Sequence, residues 1–325
     1  MKVEGMKLGR AAVVTDTGRR RLGNEDASVF EPPLFAIADG MGGARAGEIA
    51  AGIAAAVIEE TVAETRGTDG IAAIIADANR RIWERSLADP ATAGMGTTVT
   101  IALVDAADGT VAIGHVGDSR GYRLRDGPLE QVTTDHSLVA ELVESGVLTP
   151  EEAERHPQRS AITRALGTEP AVEADVFTLD ALPGDLFLLC SDGLSDLLSE
   201  DQIAAAIETA DRDPAAAGDA LVAAANAEGG EDNITVLLFE LVAGDDPGVA
   251  AETAEDGGAA GESGDGTGSR PDTPTREPQE VERAPDLPAP LRRHGAGAGG
   301  RLAAILLIAA VVIVGALLLY WGVVR

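Results

Sequence analysis

From about Lys7 to Val242 the hydrophobic positions of the chain alternate between two rhythms. Short runs such as "AAVVTD" and "LFAIAD" are apolar until they stop at an acid, as buried strands do. The longer stretches "AGEIAAGIAAAVIEETVAE" and "GIAAIIADANRRIWERSLA" have the length and periodicity of packed amphipathic helices. "GTTVTIALVD", "GTVAIGHVGD" and "SRGYRLRDG" follow as strands separated by Asp and Gly turns, and predict a three-stranded β-meander. Two helix starts are written as capping boxes, Thr149 with Glu152 after Pro150, and Ser199 with Gln202. Strands cluster and helices come in pairs, so the pattern predicts an α+β fold with helix-covered sheets rather than a parallel βαβ fold.

Beyond Val242 the periodicity stops. Residues 244 to 300 hold 12 Gly and 7 Pro, with 12 acids against 5 arginines, too little apolar surface to offset the cost of ordering. The organisation expected is a folded domain over 1–243, a disordered acidic linker over 244–301 and a transmembrane helix over 302–324. The last segment, "LAAILLIAAVVIVGALLLYWGVV", carries no charge, is long enough to span a bilayer, and places Tyr320 and Trp321 near its far end. Arg292, Arg293 and Arg301 precede it and Arg325 alone follows, so the positive-inside rule puts residues 1–301 in the cytoplasm. The N-terminus lacks the apolar core of a signal peptide. The expected location is the cell membrane, single-pass, with the folded domain cytoplasmic.

Composition narrows the chemistry. A formal net charge of −29 argues against nucleic acid as a partner. With Cys190 as the one cysteine, no intrachain disulfide and no thiolate-rich zinc site can form. Cys190 lies in an apolar run and reads as a buried packing residue. His115, His136, His156 and His294 are scattered without ligand spacing. If a metal is bound, oxygen must bind it.

Four aspartates share one context. Asp39 in "ADGMGG", Asp118 in "VGDSR", Asp192 in "SDGLSD" and Asp232 in "GGEDNITV" each stand at the end of an apolar run beside Gly, Ser or Asn. Singly each reads as a turn. Together they can converge at one end of a sheet pair, and an oxygen-only set selects Mg²⁺ or Mn²⁺. Gly40 leaves its carbonyl open to a cation. The loop "TGRRRLGNEDAS" brings arginines close to Glu25 and Asp26; Arg19 and Arg20 read as a basic surface, but an arginine near a metal cluster suits phosphate recognition. No P-loop, GxSxG or kinase signature is present.

Taken in order, "RRLGNEDA", "ADGMGG", "GTTVT", "VGDSR", "SDGLSD" and "GGEDNITV" resemble the metal-dependent protein phosphatases of the phosphatase-2C type, in their bacterial form. The resemblance covers about Lys7 to Val242. It implies two antiparallel β-sheets packed face to face with helix pairs outside, an α-β-β-α sandwich. It implies hydrolysis of phosphoserine and phosphothreonine in proteins by a metal-activated water, opposing Ser/Thr protein kinases, with a monomeric catalytic domain. Two Mn²⁺ or Mg²⁺ ions are implied, and a third in bacterial members. By motif, Asp39 would bridge two metals, Gly40 would lend its carbonyl, and Asp192 and Asp232 would complete one shell. Asp118 with Asp192 would hold the third metal, with Ser160 of the flap beside it. Arg21 would bind phosphate, and Glu25 and Asp26 would hydrogen-bond metal-bound waters. The flap would run from about Thr134 to Gly167.

One residue departs from the animal pattern: Met41 stands where those members carry a histidine thought to protonate the leaving alcohol. Alternative readings are a phosphatase dedicated to one regulatory partner, a catalytically dead membrane-tethered module, and a calcium-binding domain. The first usually adds a sensor domain, the second would be expected to lose metal acids, and the third lacks a DxDxDG loop.

Overall fold

The computed structural model describes residues 5–42, 46–153 and 155–244. The chain divides into two units, residues 1–260 and 261–325; the second, with the expected span over 302–324 and nearly all of the expected linker, lies outside the described residues. In chain order the strands and helices begin with β1 (Met6–Asp16), β2 (Asp26–Glu31), β3 (Leu34–Met41), α1 (Ala46–Thr61) and α2 (Gly67–Ala88). Next come β4 (Gly96–Thr97), β5 (Val99–Asp105), β6 (Thr110–Val116), β7 (Arg120–Leu124), β8 (Leu129–Gln131), α3 (Leu138–Glu144) and α4 (Pro150–Ala153). β9 (Asp175–Asp180), β10 (Leu186–Cys190), α5 (Asp192–Ser195), α6 (Glu200–Thr209), α7 (Pro214–Ala227) and β11 (Ile234–Ala243) complete the unit.

One antiparallel sheet has the order β1-β11-β10-β7-β8 and the other β2-β3-β5-β6-β9, with β4 paired to β3. The apolar runs explain the layering. Phe35, Ile37, Ala102, Ile113, Phe187, Leu237 and Phe239 face one another between the sheets. The alternate residues of the same strands, such as Ala36, Ile101, Leu188 and Leu238, face outward onto helices. Helices α1 and α2 cover the second sheet, and α6 and α7 cover the first. Small residues along α1, Ala50, Ala51 and Ala54, are fully buried and allow close helix-sheet approach. The expected sandwich is the one observed, and both capping boxes form.

The predicted β-meander needs correction. β5 and β6 pair as expected, but β7 leaves for the other sheet and pairs with β10 and β8. β5, β6 and most of β7 are buried on both faces, so hydrophobic pattern alone does not say which sheet each joins. The crossing consumes only residues 117–119, and Asp118 lies on it.

Phe239 stacks on Phe35 at a ring-centroid separation of 4.6 Å and on Phe187 at 5.1 Å, at the centre of the inter-sheet layer. Replacing Phe239 with Ala is expected to lower stability by about 3–5 kcal/mol, measured by urea unfolding of the full chain.

Candidate active site

The acids meet because antiparallel pairing brings the right strand ends to one edge. Asp192 follows β10, Asp232 precedes β11, and the loop after β1 starts beside them, since Asp16 pairs with Ile234. From the other sheet, Asp39 stands near the end of β3, directly opposite Asp26 on β2. A cavity of about 170 Å3 opens at this edge, lined by Arg21, Glu25, Asp39, Gly40, Met41, Gly42, Thr98, Ile162, Asp192 and Asp232. Six of the nine residues singled out in the sequence therefore share one wall.

The glycines around Asp39 serve a close approach. A Cβ on Gly40 would lie 2.3 Å from the Gly47 carbonyl oxygen and 2.5 Å from that of Glu25. Gly47, at the start of α1, meets Gly40 in return. The turn after β3 thus packs backbone against backbone, and the Gly40 N–H donates to the Glu25 carbonyl at 3.1 Å. Asp39 itself is gripped by "GTT": its N–H donates to Thr98 Oγ1 at 3.0 Å, and its carbonyl accepts from Thr97 Oγ1 at 2.8 Å and from the Thr98 N–H at 2.9 Å. Thr98 Oγ1 also meets Ser119 Oγ at 2.6 Å, tying this strand end to the crossing that carries Asp118.

The carboxyl groups crowd one another. Burial, then the charges of Asp192, Asp26, Asp118 and Asp232, hold the Asp39 carboxyl well above the usual range. Burial and the charges of Asp118, Asp232 and Asp196 do the same at Asp192. Asp118 is pushed up to about 7 by burial and by Asp135 and Asp196, and Asp26 to about 6, chiefly by burial. Buried oxygens of Asp26, Asp118 and Asp192 (Oδ1 in each) have no hydrogen-bond partner. Such oxygens are costly unless something positive meets them. An all-oxygen set with unmet lone pairs fits Mg²⁺ or Mn²⁺. Among the described residues no three acids already stand in a finished coordination shell. Glu25, Asp39, Asp192 and Asp232 line the cavity, and Arg21 occupies one oxygen of Asp232 at 2.5 Å.

Not every expected residue reaches the cavity. Asp118 lies behind the lining, 8% exposed, and acts on Asp39 and Asp192 through its charge. Asp26 is also behind it and accepts from Thr235 Oγ1 at 2.6 Å. Ser160 is exposed and points to Asp196, its hydroxyl 3.4 Å from Oδ2, so the structure does not bring it into the lining. Arg20 pairs with Glu231 at 3.2 Å, as a surface residue would. His115 is fully buried between Thr100 and the Thr134 carbonyl, and burial beside His136 pushes it down to about 4. Sequence reasoning passed over Thr98, Ile162, Asp196 and Asn233. Thr98 and Asn233 lie inside quoted motifs, but as a strand residue and a turn residue they carry no chemistry of their own.

Comparison with known proteins shows the family. The family model for protein phosphatase 2C matches residues 23–228. The serine/threonine phosphatase stp of Listeria monocytogenes is 40% identical over 238 residues, covering 70% of this chain and 93% of that protein. The serine/threonine protein phosphatase PstP of Mycobacterium tuberculosis is 41% identical over 236 residues, which cover 72% of this chain and 45% of PstP. A crystal structure of the M. tuberculosis enzyme superposes with a TM-score of 0.69 at 39% identity, covering 73% of this chain and all of that one. A PstP catalytic domain crystallised with two manganese ions gives 0.66 at 37% identity, covering 73% and 99%. The chain belongs to the protein phosphatase 2C family of metal-dependent serine/threonine protein phosphatases, in its bacterial form.

Proposed function

We propose that this cavity hydrolyses phosphoserine and phosphothreonine in proteins with two Mn²⁺ or Mg²⁺ ions held by Asp39, the Gly40 carbonyl, Asp192 and Asp232. A third would be held by Asp118 with Asp192. The observation that carries the reading is the convergence of acids from both sheets with Arg21 on one small cavity. Bound cations would supply Lewis acidity, offsetting negative charge and activating a water for attack on phosphorus. Arg21 contributes a planar fork of N–H donors suited to two phosphate oxygens. Asp232 and Glu25 hold that guanidinium over the cavity by charge. Glu25 in the lining and Asp26 behind it would hydrogen-bond water held by those cations. Met41 lines the cavity and has no proton to give, so the leaving alcohol takes its proton from elsewhere.

The test separates Arg21 from its neighbours. Arg21→Ala should slow hydrolysis of a phosphothreonine peptide about tenfold to a hundredfold, the worth of one charge-assisted contact of roughly 1.5–3 kcal/mol. Arg19→Ala should change little, since Arg19 is exposed and absent from the lining. Equal losses at both positions would mean a generic basic loop.

We also propose that the enzyme acts beneath a membrane, on phosphorylated proteins that Ser/Thr kinases produce there. The support is the uncharged run over 302–324. No helix among the described residues is long and apolar enough to cross a membrane. Removing residues 245–325 should release the enzyme from sedimented membranes while turnover on a small phosphopeptide stays within about twofold, as expected for a flexible tether. Loss of turnover in that truncation would give the tail a catalytic role.

A further inference from the structure

We infer that Asn233 is a positioning residue for Arg21, holding the phosphate-facing loop at its base whether or not Asp232 is engaged elsewhere; this rests on the reading of Arg21 given above. Asn233 is 3% exposed. Its Nδ2 donates to the Thr17 carbonyl at 2.9 Å and to the Gly23 carbonyl at 3.0 Å. Its Oδ1 accepts from the Glu25 N–H at 2.8 Å. Two carbonyls and one N–H surround the amide, so its orientation is fixed by chemistry. One side chain thus uses both its donors and its acceptor on the two ends of a single loop, with Arg21 between them.

The loop is pressed against the same segment along its length. The Arg19 N–H donates to the Gly230 carbonyl at 2.7 Å. A Cβ on Gly18, whose φ is +79°, would lie 2.1 Å from the Asp232 carbonyl oxygen. Neither contact reaches the guanidinium. The direct hold on Arg21 is the Asp232 carboxylate, whose Oδ2 takes the Arg21 N–H at 2.5 Å while Oδ1 takes the Asn233 N–H at 2.8 Å. A cation held by Asp232 would compete with Arg21 for its carboxylate. The three bonds of the Asn233 amide all go to main chain, so that competition leaves them intact. Asn233 therefore sets where Arg21 sits when Asp232 cannot.

The experiment is a double-mutant cycle read by inorganic phosphate as a competitive inhibitor and by Mn²⁺ binding in calorimetry. Asn233→Ala should raise the phosphate inhibition constant about tenfold, the effect of losing one well-placed charge-assisted contact. Its Mn²⁺ affinity should stay within about twofold of wild type. In an Arg21→Ala background the same change should add less than about twofold, because residues acting as one unit are not additive. An equal loss with and without Arg21, or no change in phosphate inhibition, overturns the inference. If Arg21→Ala alone leaves phosphate inhibition unchanged, the reading of Arg21 fails first and the inference falls with it. Should Asn233→Ala not fold, Asn233→Ser, which keeps one donor, takes its place in the cycle. Amide exchange in the wild-type protein gives a check free of variants: the Glu25 N–H should be protected as strongly as β11, and exchange at the rate of an open loop overturns the hold.

Discussion

Asp39→Asn is expected to cut turnover on a phosphothreonine peptide by roughly a hundredfold to a thousandfold, the scale of losing a central electrostatic group. The substitution keeps the shape of the side chain, and the backbone of residue 39 stays gripped by Thr97 and Thr98. What it removes is charge at the point where four other aspartates already act. The same change relieves repulsion in the cation-free protein, so the unfolding midpoint measured in EDTA should not fall. Turnover collapsing while stability holds separates a catalytic cause from a folding one. Full activity in the variant, or in the wild type with excess EDTA, would remove the metal assignment.

Gly40→Ala should cost both stability and activity. The added Cβ meets the Gly47 and Glu25 carbonyl oxygens at 2.3 and 2.5 Å, and neither is the free end of a flexible side chain. Relief requires β3 and α1 to separate, a cost of about 1–3 kcal/mol for overpacking. The separation also moves Asp39 and Glu25 relative to Asp192 and Asp232. A displacement on the order of 1 Å in a positioned site costs about a hundredfold in rate. Gly52→Ala is the matched control: it lies in α1 with nothing within 4 Å of the new Cβ. There the change should stabilise by about 0.5–1 kcal/mol, the usual gain for Gly to Ala inside a helix, and leave turnover alone. Denaturant unfolding and peptide turnover on the two variants decide the matter.

These two sites mark what the sequence makes legible. Asp39, Asp192 and Asp232 could be found because a charged residue bounding an apolar run is conspicuous, and antiparallel pairing brings the end of one strand beside the start of the next. The layers were legible for the same reason: runs such as "LFLLC" and "ITVLLFELV" must be covered on both faces. The crossing at Asp118 was not, because a strand buried on both sides carries no mark of the sheet it joins. Ser160 lies outside the lining, on an exposed segment, with its hydroxyl beside Asp196 and not at a strand end. Asn233 was hidden in plain view. In "EDNI" it looks like turn chemistry, and only the three-dimensional path of a loop more than two hundred residues earlier gives its amide three partners.

If the ions sit where proposed, the division of the acids between the sheets would also make ion supply a matter of protein lifetime. Asp39 belongs to one sheet, while Asp192 and Asp232 flank strands of the other. A ligand that needs all three exists only on the assembled sandwich, so binding and unfolding form one linked equilibrium. At a free concentration a hundred times its Kd, such a ligand adds about 2.7 kcal/mol to the folded state. A cell that starves the enzyme of its ion would therefore lose protein as well as rate, because the unfolded fraction open to proteases rises by the same factor.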